Sequence, residues 1–277
     1  MISARQQATL AAAGCDIAFD SLTRQLYATD ASIYQIEPAG VAFPREARQA
    51  GALFTAAGEA GVSIIPRGAG TGLVGGAIGE GLVVDLARHN RQITRLDLER
   101  RTVRAGAGVV LDQLNAFLQP HGFCFGPDVA TSSRATLGGM IASNSSGARV
   151  PVYGTTADHV RSLEIVLADG RVEHIGSELP ALPTERELVE RLIRQHAREI
   201  QARMPAGLLK RWPGFGLDRW LRGPGNLADI LAGSEGILAA IVSAELQIVP
   251  LPREKGLGLI FFASVIEAME ATVELLP

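Results

Sequence analysis

The sequence predicts an α+β fold of two α/β subdomains, one built around a parallel βαβ unit and one around a mostly antiparallel sheet. Three observations carry this. A strand-like run at Gly40–Phe43, an amphipathic helix and a second apolar run at Val62–Ile65 follow one another in the order of a parallel crossover. Farther on, residues alternate with period two at Thr94–Leu98, Leu163–Leu167 and Val242–Ile248, and an Asp169-Gly170 turn joins two such runs into a hairpin. Between the two groups, five of the nine residues from Gly68 to Gly76 are glycine, too many for a helix or a strand.

Taken in order, Ile2–Ala13 reads as a helix ended by Gly14, and Tyr27–Ser32 as a polar turn leading to the strand at Gly40. Pro44 stops that strand, and the next helix sets Ala47, Ala50, Leu53, Phe54 and Ala57 on one face. Strands are expected at Leu82–Leu86, Thr94–Leu98 and Thr102–Ala105. A helix with Val110, Leu111, Leu114, Phe117 and Leu118 inward breaks at Pro120-His121-Gly122. Residues 123–154 are irregular, with one short helix near Thr136–Ala142. An irregular stretch of that length with embedded apolar residues points to function.

The hairpin of Leu163–Leu167 and Val172–Ile175 comes next. Thr184-x-x-Glu187 has the form of a capping box opening a helix through Ala202, with Leu188, Val189, Leu192, Ile193 and Ile200 inward. Glu187 with Arg191, and Glu190 with Arg194, lie one turn apart on its wet face. Met204–Gly225, basic and holding Trp212 and Trp220, reads as a surface insertion. The strand from Val242 to Ile248 is closed by Pro250 and Pro252. Leu257–Phe262 and Val265–Leu276 read as a fresh strand and helix, too little to bury their apolar faces alone, and hence as the start of a truncated second domain after residue 252.

The glycine-rich loop leaves the carboxyl end of a strand of the βαβ unit, where such sheets hold ligands. Unblocked amides in succession form a concavity suited to phosphate oxygens, to which Arg67 adds a charge and Thr71 a hydroxyl. Gly70-Thr71-Gly72-Leu73-Val74-Gly75 fits G-x-G-x-x-G, but no helix follows and the first acid, Asp85, comes too early for a nicotinamide fingerprint. A cradle of main-chain amides remains, with a tight structural turn as the plain alternative.

The net charge of −3 argues against nucleic acid or an anionic membrane as a main partner. No apolar run is long enough for a transmembrane segment, and the N-terminus has no signal-like pattern. Cys15 and Cys124 have neither zinc-site nor iron–sulfur spacing, and two unpaired thiols suit a cytoplasmic location. Of the five histidines, His89 and His174 are expected to be solvated, His196 lies within the charged helix, His121 sits in a turn, and His159 is expected to serve structural hydrogen bonding. No catalytic residue, and in particular no general base, is identified.

Pro66-Arg67-Gly68-Ala69-Gly70-Thr71, Gly126-Pro127-Asp128, Thr136-Leu137-Gly138-Gly139-Met140-Ile141-Ala142-Ser143-Asn144, Tyr153-Gly154 and Gly233-Ser234-Glu235-Gly236 occur in this order. As a set they resemble the PCMH-type FAD-binding domain of the vanillyl-alcohol oxidase superfamily. The FAD-linked D-2-hydroxyacid dehydrogenases of the D-lactate, glycolate-oxidase-subunit and D-2-hydroxyglutarate types look most similar, and the likeness covers roughly residues 29–252. The resemblance implies a FAD-binding domain over residues 1–252 and the beginning of a substrate-cap domain over 253–277.

It further implies that Pro66, Arg67, Gly68, Ala69, Gly70, Thr71 and Gly72 wrap the FAD diphosphate. Pro127, Asp128, Thr136, Gly138, Gly139, Ala142 and Asn144 would line the ribityl chain and isoalloxazine, continued by Gly147 and Gly154. Glu235, Gly236 and Ile241 would fall near the adenine. The plain alternatives are close helix packing for Gly138 and Gly139, a turn former for Asn144 and a core residue for Ile241. Members that attach FAD covalently through this loop carry His where Thr71 stands, so non-covalent FAD is implied, with no metal or iron–sulfur cluster within this chain. Oxidation of a small D-2-hydroxy acid, bound through the missing cap domain, and an electron acceptor other than NAD follow from the same likeness. The rival reading is a flavin-holding electron-relay module with no substrate site of its own.

Overall fold

The computed structural model of the chain describes residues 2–176, 181–204, 206–207, 214–254 and 256–275. Helix α1 (Ala4–Ala11) is opened by Ser3, whose hydroxyl accepts from the Gln6 amide at 3.3 Å while the Gln6 side chain accepts from the Ser3 amide at 2.8 Å. This reciprocal cap satisfies two amides that the first turn leaves open. Strand β1 (Asp16–Ala18), helix α2 (Ser21–Leu26), β2 (Gly40–Phe43), α3 (Ala47–Ala60), β3 (Ile64–Arg67) and β4 (Leu82–Asp85) follow. They build a four-stranded sheet in the order β1-β2-β4-β3, with β4 parallel to both neighbours and β1 antiparallel at the edge.

The β2–α3–β3 crossover is thus present, with β4 inserted between the strands it joins. Helix α3 buries Ala50, Leu53, Phe54 and Ala57, the face its periodicity marks, and stops at Gly61 in the left-handed conformation (φ 62°). The turn consumes Val62 and Ser63, so β3 starts two residues later than the apolar run suggests. Pro66 fits within β3 because that strand is the sheet's edge.

The second lobe comprises β5 (Ile93–Asp97), β6 (Thr102–Gly106), α4 (Leu111–Leu118), β7 (Phe123–Cys124), α5 (Leu137–Ala142), α6 (Val150–Tyr153), β8 (Val160–Val166) and β9 (Val172–Gly176). It continues with α7 (Pro183–Gln195), α8 (Ala197–Arg203), α9 (Leu217–Arg222), α10 (Leu227–Leu231), β10 (Ala240–Gln247) and β11 (Val249–Pro250); α11 (Val265–Leu275) lies beyond. The main sheet runs β5-β6-β10-β8-β9 and is antiparallel throughout. Leu163 and Ile165 of β8, with Ala244 and Leu246 of β10, face Leu111, Leu114 and Leu118 of α4 and Met140 and Ile141 of α5 in the largest apolar core. The lobes share a second core, in which Leu53 and Phe54 of α3 meet Val166, Ala240 and Val242. Gly51 permits that approach, since a Cβ there would stand 2.5 Å from the Gly170 carbonyl oxygen.

Several expectations change. Thr184 caps nothing: α7 begins at Pro183, which presets φ for a first helical residue, after Leu182 in the left-handed region. The expected single helix is interrupted at His196 and continues as α8. Leu188 and Leu192, expected inward, are 45 % and 47 % exposed, while Ile193 and Ile200 are buried. The Glu190–Arg194 ion pair forms on the wet face.

Of the expected surface insertion at 204–225, Trp212 lies outside the described residues. Trp220, however, is only 6 % exposed and packs in the main core, with Arg186 over its ring. The strand expected at Leu257–Phe262 does not form, because no described segment pairs with these residues, and Phe261 is 92 % exposed. The helix beyond them is present as α11.

Candidate functional site

A cleft opens where three segments converge: the chain from Pro66 to Gly76, helix α5 with Thr136 before it, and the stretch from Glu235 to Ile241 that leads into β10. Pro66, Arg67, Gly68, Ala69, Gly70, Thr71 and Gly72 line it, as do Thr136, Gly138, Gly139, Ala142, Glu235, Gly236 and Ile241. It continues past Pro66, Gly76, Gly236 and Ala239 into a second hollow against Phe54, Ile64 and Ile78.

The loop turns on Gly70 (φ 66°) and Gly75 (φ 79°), where left-handed backbone favours glycine. Among the described residues, no acceptor receives the amide of any residue from 68 to 76, nor that of Gly139. Beside them, Thr136 is 3 % exposed and its hydroxyl has no partner among the described residues. That hydroxyl sits close under Gly68, where an added Cβ would collide with it, and 3.4 Å from a Cβ built on Gly139. An unpaired buried hydroxyl is costly, and with the open amides of the exposed and half-buried loop Thr136 makes the cleft complementary to a ligand rich in acceptor oxygens.

Arg67 takes another part than the one expected of its charge. Its Nη1 donates to the carbonyls of Tyr27 and Ala77, each at 3.1 Å, and its Nη2 to that of Thr29 at 2.8 Å. Burial depresses its pKa, while Tyr27, Asp30 and Asp85 favour the charged form. Asp85 accepts the Tyr27 hydroxyl at 2.5 Å and the amides of Ala87 and Arg88 at 2.7 and 3.0 Å. Burial, followed by the bond to Asp85, raises the pKa of the Tyr27 phenol.

Five expected residues stand outside the cleft lining. Pro127 and Asp128 lie on a loop that Arg149 fastens, its amide donating to Asp128 Oδ1 at 3.3 Å, and Gly147 is small because it abuts the Asp128 carbonyl. Asn144 holds a left-handed turn (φ 45°) and accepts the Ala157 amide at 2.9 Å, the plain role of a turn former. Gly154 (φ 72°) leaves room for Asp158 Oδ2, 2.5 Å from an added Cβ. Gly138 answers to helix packing as well as to the cleft, since its Cβ would meet that of Ala107 at 2.6 Å. Ile241 is both buried core and cleft wall.

His159 is structural: its ring nitrogens meet the carbonyls of Gln247 at 3.2 Å and Tyr153 at 2.7 Å, and Phe125 lies edge-on at 5.4 Å. His89, expected to be solvated, has a buried Nε2 without a partner among the described residues.

Sequence reasoning missed Thr131 and Ser145, which line the cleft, and Ala107, which seats Gly138. It also missed Arg219 of α9, which binds Asp158 and, at 3.2 Å, Asp229, and donates to the Ala157 carbonyl at 3.0 Å. The polar run at 131–146 hinted at the hydroxyls. Nothing local marked Arg219.

Two lobes meeting at an amide-lined cleft define a class of protein: a domain that holds a phosphate-bearing cofactor between a parallel and an antiparallel sheet. The chain belongs to the FAD binding domain family, whose pattern matches residues 38–176, half of its length. A D-2-hydroxyglutarate dehydrogenase of Pantoea ananatis is 38 % identical over 260 residues, covering 86 % of this chain and 25 % of that protein. A D-lactate dehydrogenase of Archaeoglobus fulgidus is 31 % identical over 233 residues, 83 % of this chain and 43 % of the relative.

The chain therefore spans about a quarter of the length of the D-2-hydroxyglutarate dehydrogenases it matches. In fold it is similar to an alkyldihydroxyacetonephosphate synthase (TM-score 0.62, 21 % identity, 86 % of this chain and 38 % of that one) and to Physcomitrella patens BBE-like 1 (TM-score 0.65, 15 % identity, 88 % and 44 %). No helix among the described residues is long and apolar enough to cross a membrane.

Proposed function

We propose that this chain binds FAD non-covalently, as the flavin-holding part of an oxidoreductase that acts on a small D-2-hydroxy acid. One observation carries the binding: Gly68–Gly72, whose amides have no acceptor among the described residues, line the same cleft as the orphaned Thr136 hydroxyl. A diphosphate supplies the acceptor oxygens these donors lack. Thr71 offers no side chain that flavins are usually tethered to, in keeping with a cofactor held by contacts alone. The donors bind and orient. The hollow against Phe54 and Ile64 offers apolar walls to a ring of the cofactor.

Bound FAD would supply the two-electron acceptor for oxidation of a 2-hydroxy acid to its 2-oxo acid, and the residues of this cleft would hold and orient it. The hydroxy-acid class follows from the relatives' names, D-2-hydroxyglutarate and D-lactate dehydrogenase. The remaining parts of the proposal are a substrate cap contributed by a further domain, an electron acceptor other than NAD, and a cytoplasmic setting consistent with Cys15 and Cys124 lying outside any disulfide.

The test is direct. The purified chain is titrated with FAD while flavin fluorescence and the visible spectrum are followed, then denatured in acid. Saturable quenching and release of intact FAD into the supernatant support the reading. A folded protein that leaves the fluorescence unchanged overturns it. Dye reduction by the whole protein with D-lactate, glycolate and D-2-hydroxyglutarate then assigns the substrate.

A further inference from the structure

We infer that Arg67 is a positioning residue: its guanidinium ties the two ends of the glycine-rich loop together through three carbonyls, so that the diphosphate is met by neutral amides and not by this charge. The inference rests on the reading of the cleft as a FAD site. The Tyr27 and Thr29 carbonyls belong to the chain ahead of β2, and the Ala77 carbonyl to the far end of the loop that Arg67 begins. One planar fork therefore closes the loop on itself and fixes it to a neighbouring segment. The Ala31 amide adds a tie at the loop's centre, donating to the Gly70 carbonyl at 2.9 Å.

The fork is closely enclosed. The guanidinium carbon lies 5.1 Å from the Tyr27 ring centroid, and Gly70 passes so near that a Cβ added to it would stand 2.8 Å from Nη2. Asp85 and Asp30 act on the buried guanidinium electrostatically, so its charge is answered from within the protein. A loop of this composition loses much backbone freedom when it orders. Ordering it before the ligand arrives removes that cost from binding. Lysine, with a compact ammonium and a different reach, does not reproduce a planar fork to three diverging carbonyls.

The experiment compares FAD affinity by fluorescence titration for the parent, Arg67→Lys and Arg67→Gln at low and high salt, with circular dichroism and apo melting as controls. The framing role gives a loss of roughly tenfold or more in both variants, as expected when charge-assisted hydrogen bonds that order a loop are removed. Lys should be no better than Gln, and the loss should be the same at both salt concentrations.

Parent-like affinity in Arg67→Lys, together with a loss in Arg67→Gln that shrinks as salt screens the charge, overturns the inference. If Arg67→Gln folds poorly, Arg67→Lys decides alone: a loss independent of salt supports the framing role, and parent-like affinity overturns it. Hydrogen exchange at the Ala31 amide without ligand is a readout independent of FAD. Faster exchange in the variants supports the role, and unchanged exchange overturns it. A parent that binds no FAD overturns the reading of the site instead, while the Ala31 exchange still decides what Arg67 does.

Discussion

The amide of Gly138 donates to the carbonyl of Ala107 at 2.8 Å, and a Cβ on Gly138 would stand 2.6 Å from that of Ala107. Helix α5 thereby comes to rest on the end of β6, with its first turn at the cleft. Gly138→Ala should overpack this contact and cost about 1–3 kcal/mol. Urea unfolding of the apo chain reads the stability loss, and FAD titration reads the accompanying fall in affinity.

Gly72 is the contrasting case. Nothing lies within 4 Å of a Cβ built there, and its backbone is not in the left-handed region. Gly72→Ala should leave apo stability unchanged or raise it by up to about 1 kcal/mol, through a stiffer unfolded chain. Its FAD affinity should nevertheless fall, because the free space belongs to the ligand. The two glycines then separate packing from binding in one pair of titrations.

Thr136→Val should move the two measurements in opposite directions. The buried hydroxyl has no partner among the described residues, so replacing it with a methyl should stabilise the apo chain, by about 1 kcal/mol or more. FAD should bind more weakly by roughly tenfold, the worth of one hydrogen bond in a dry site. Melting temperatures of apo and FAD-saturated protein check both signs.

Asp158 gives a pH dependence of known sign. Burial pushes its carboxyl up, but the Thr155 amide and hydroxyl and the Arg219 guanidinium outweigh this, and its pKa lies below the ordinary 3.8. A depressed carboxylate pKa contributes stability that is complete above the unfolded value and is lost as pH falls through the folded one. Thermal melts of the parent should therefore fall below about pH 4 more steeply than those of Asp158→Asn, with the difference constant at neutral pH.

Trp220→Ala tests whether 217–222 belongs to the core. With the indole in the main core beside Leu227 and Ile230, the loss should be about 3–5 kcal/mol. A surface insertion would lose far less. Denaturant unfolding followed by circular dichroism decides.

Much of the fold was legible because its signals are local. The α3 stripe, the strand at Gly40–Phe43 and the Asp169-Gly170 hairpin each follow from spacing alone, and each formed where expected. Errors fell where a distant neighbour outweighed the local pattern. Leu188 and Leu192 satisfy a helical stripe, yet α7 rests on the protein through Ile193. Pro183 fixed the start of α7 ahead of the capping pattern at Thr184. Trp220 read as surface because its partners lie in segments separated from it in the chain.

By itself the sequence determined that a glycine-rich loop leaves a strand of a parallel crossover, with side chains too small to cover its main-chain amides. That much is a property of consecutive residues. The strand is the sheet's half-buried edge and not the buried strand its apolar run suggests. Only the tertiary structure decided which way Arg67 faces, that Thr136 lacks a partner among the described residues, and that Pro127, Asp128, Asn144, Gly147 and Gly154 lie outside the cleft lining. Side-chain direction and hydrogen-bond satisfaction depend on groups brought together by chain reversal: the carbonyl of Ala77 for Arg67, and Gly68 for Thr136. No spacing along the chain records such meetings, because packing alone creates them.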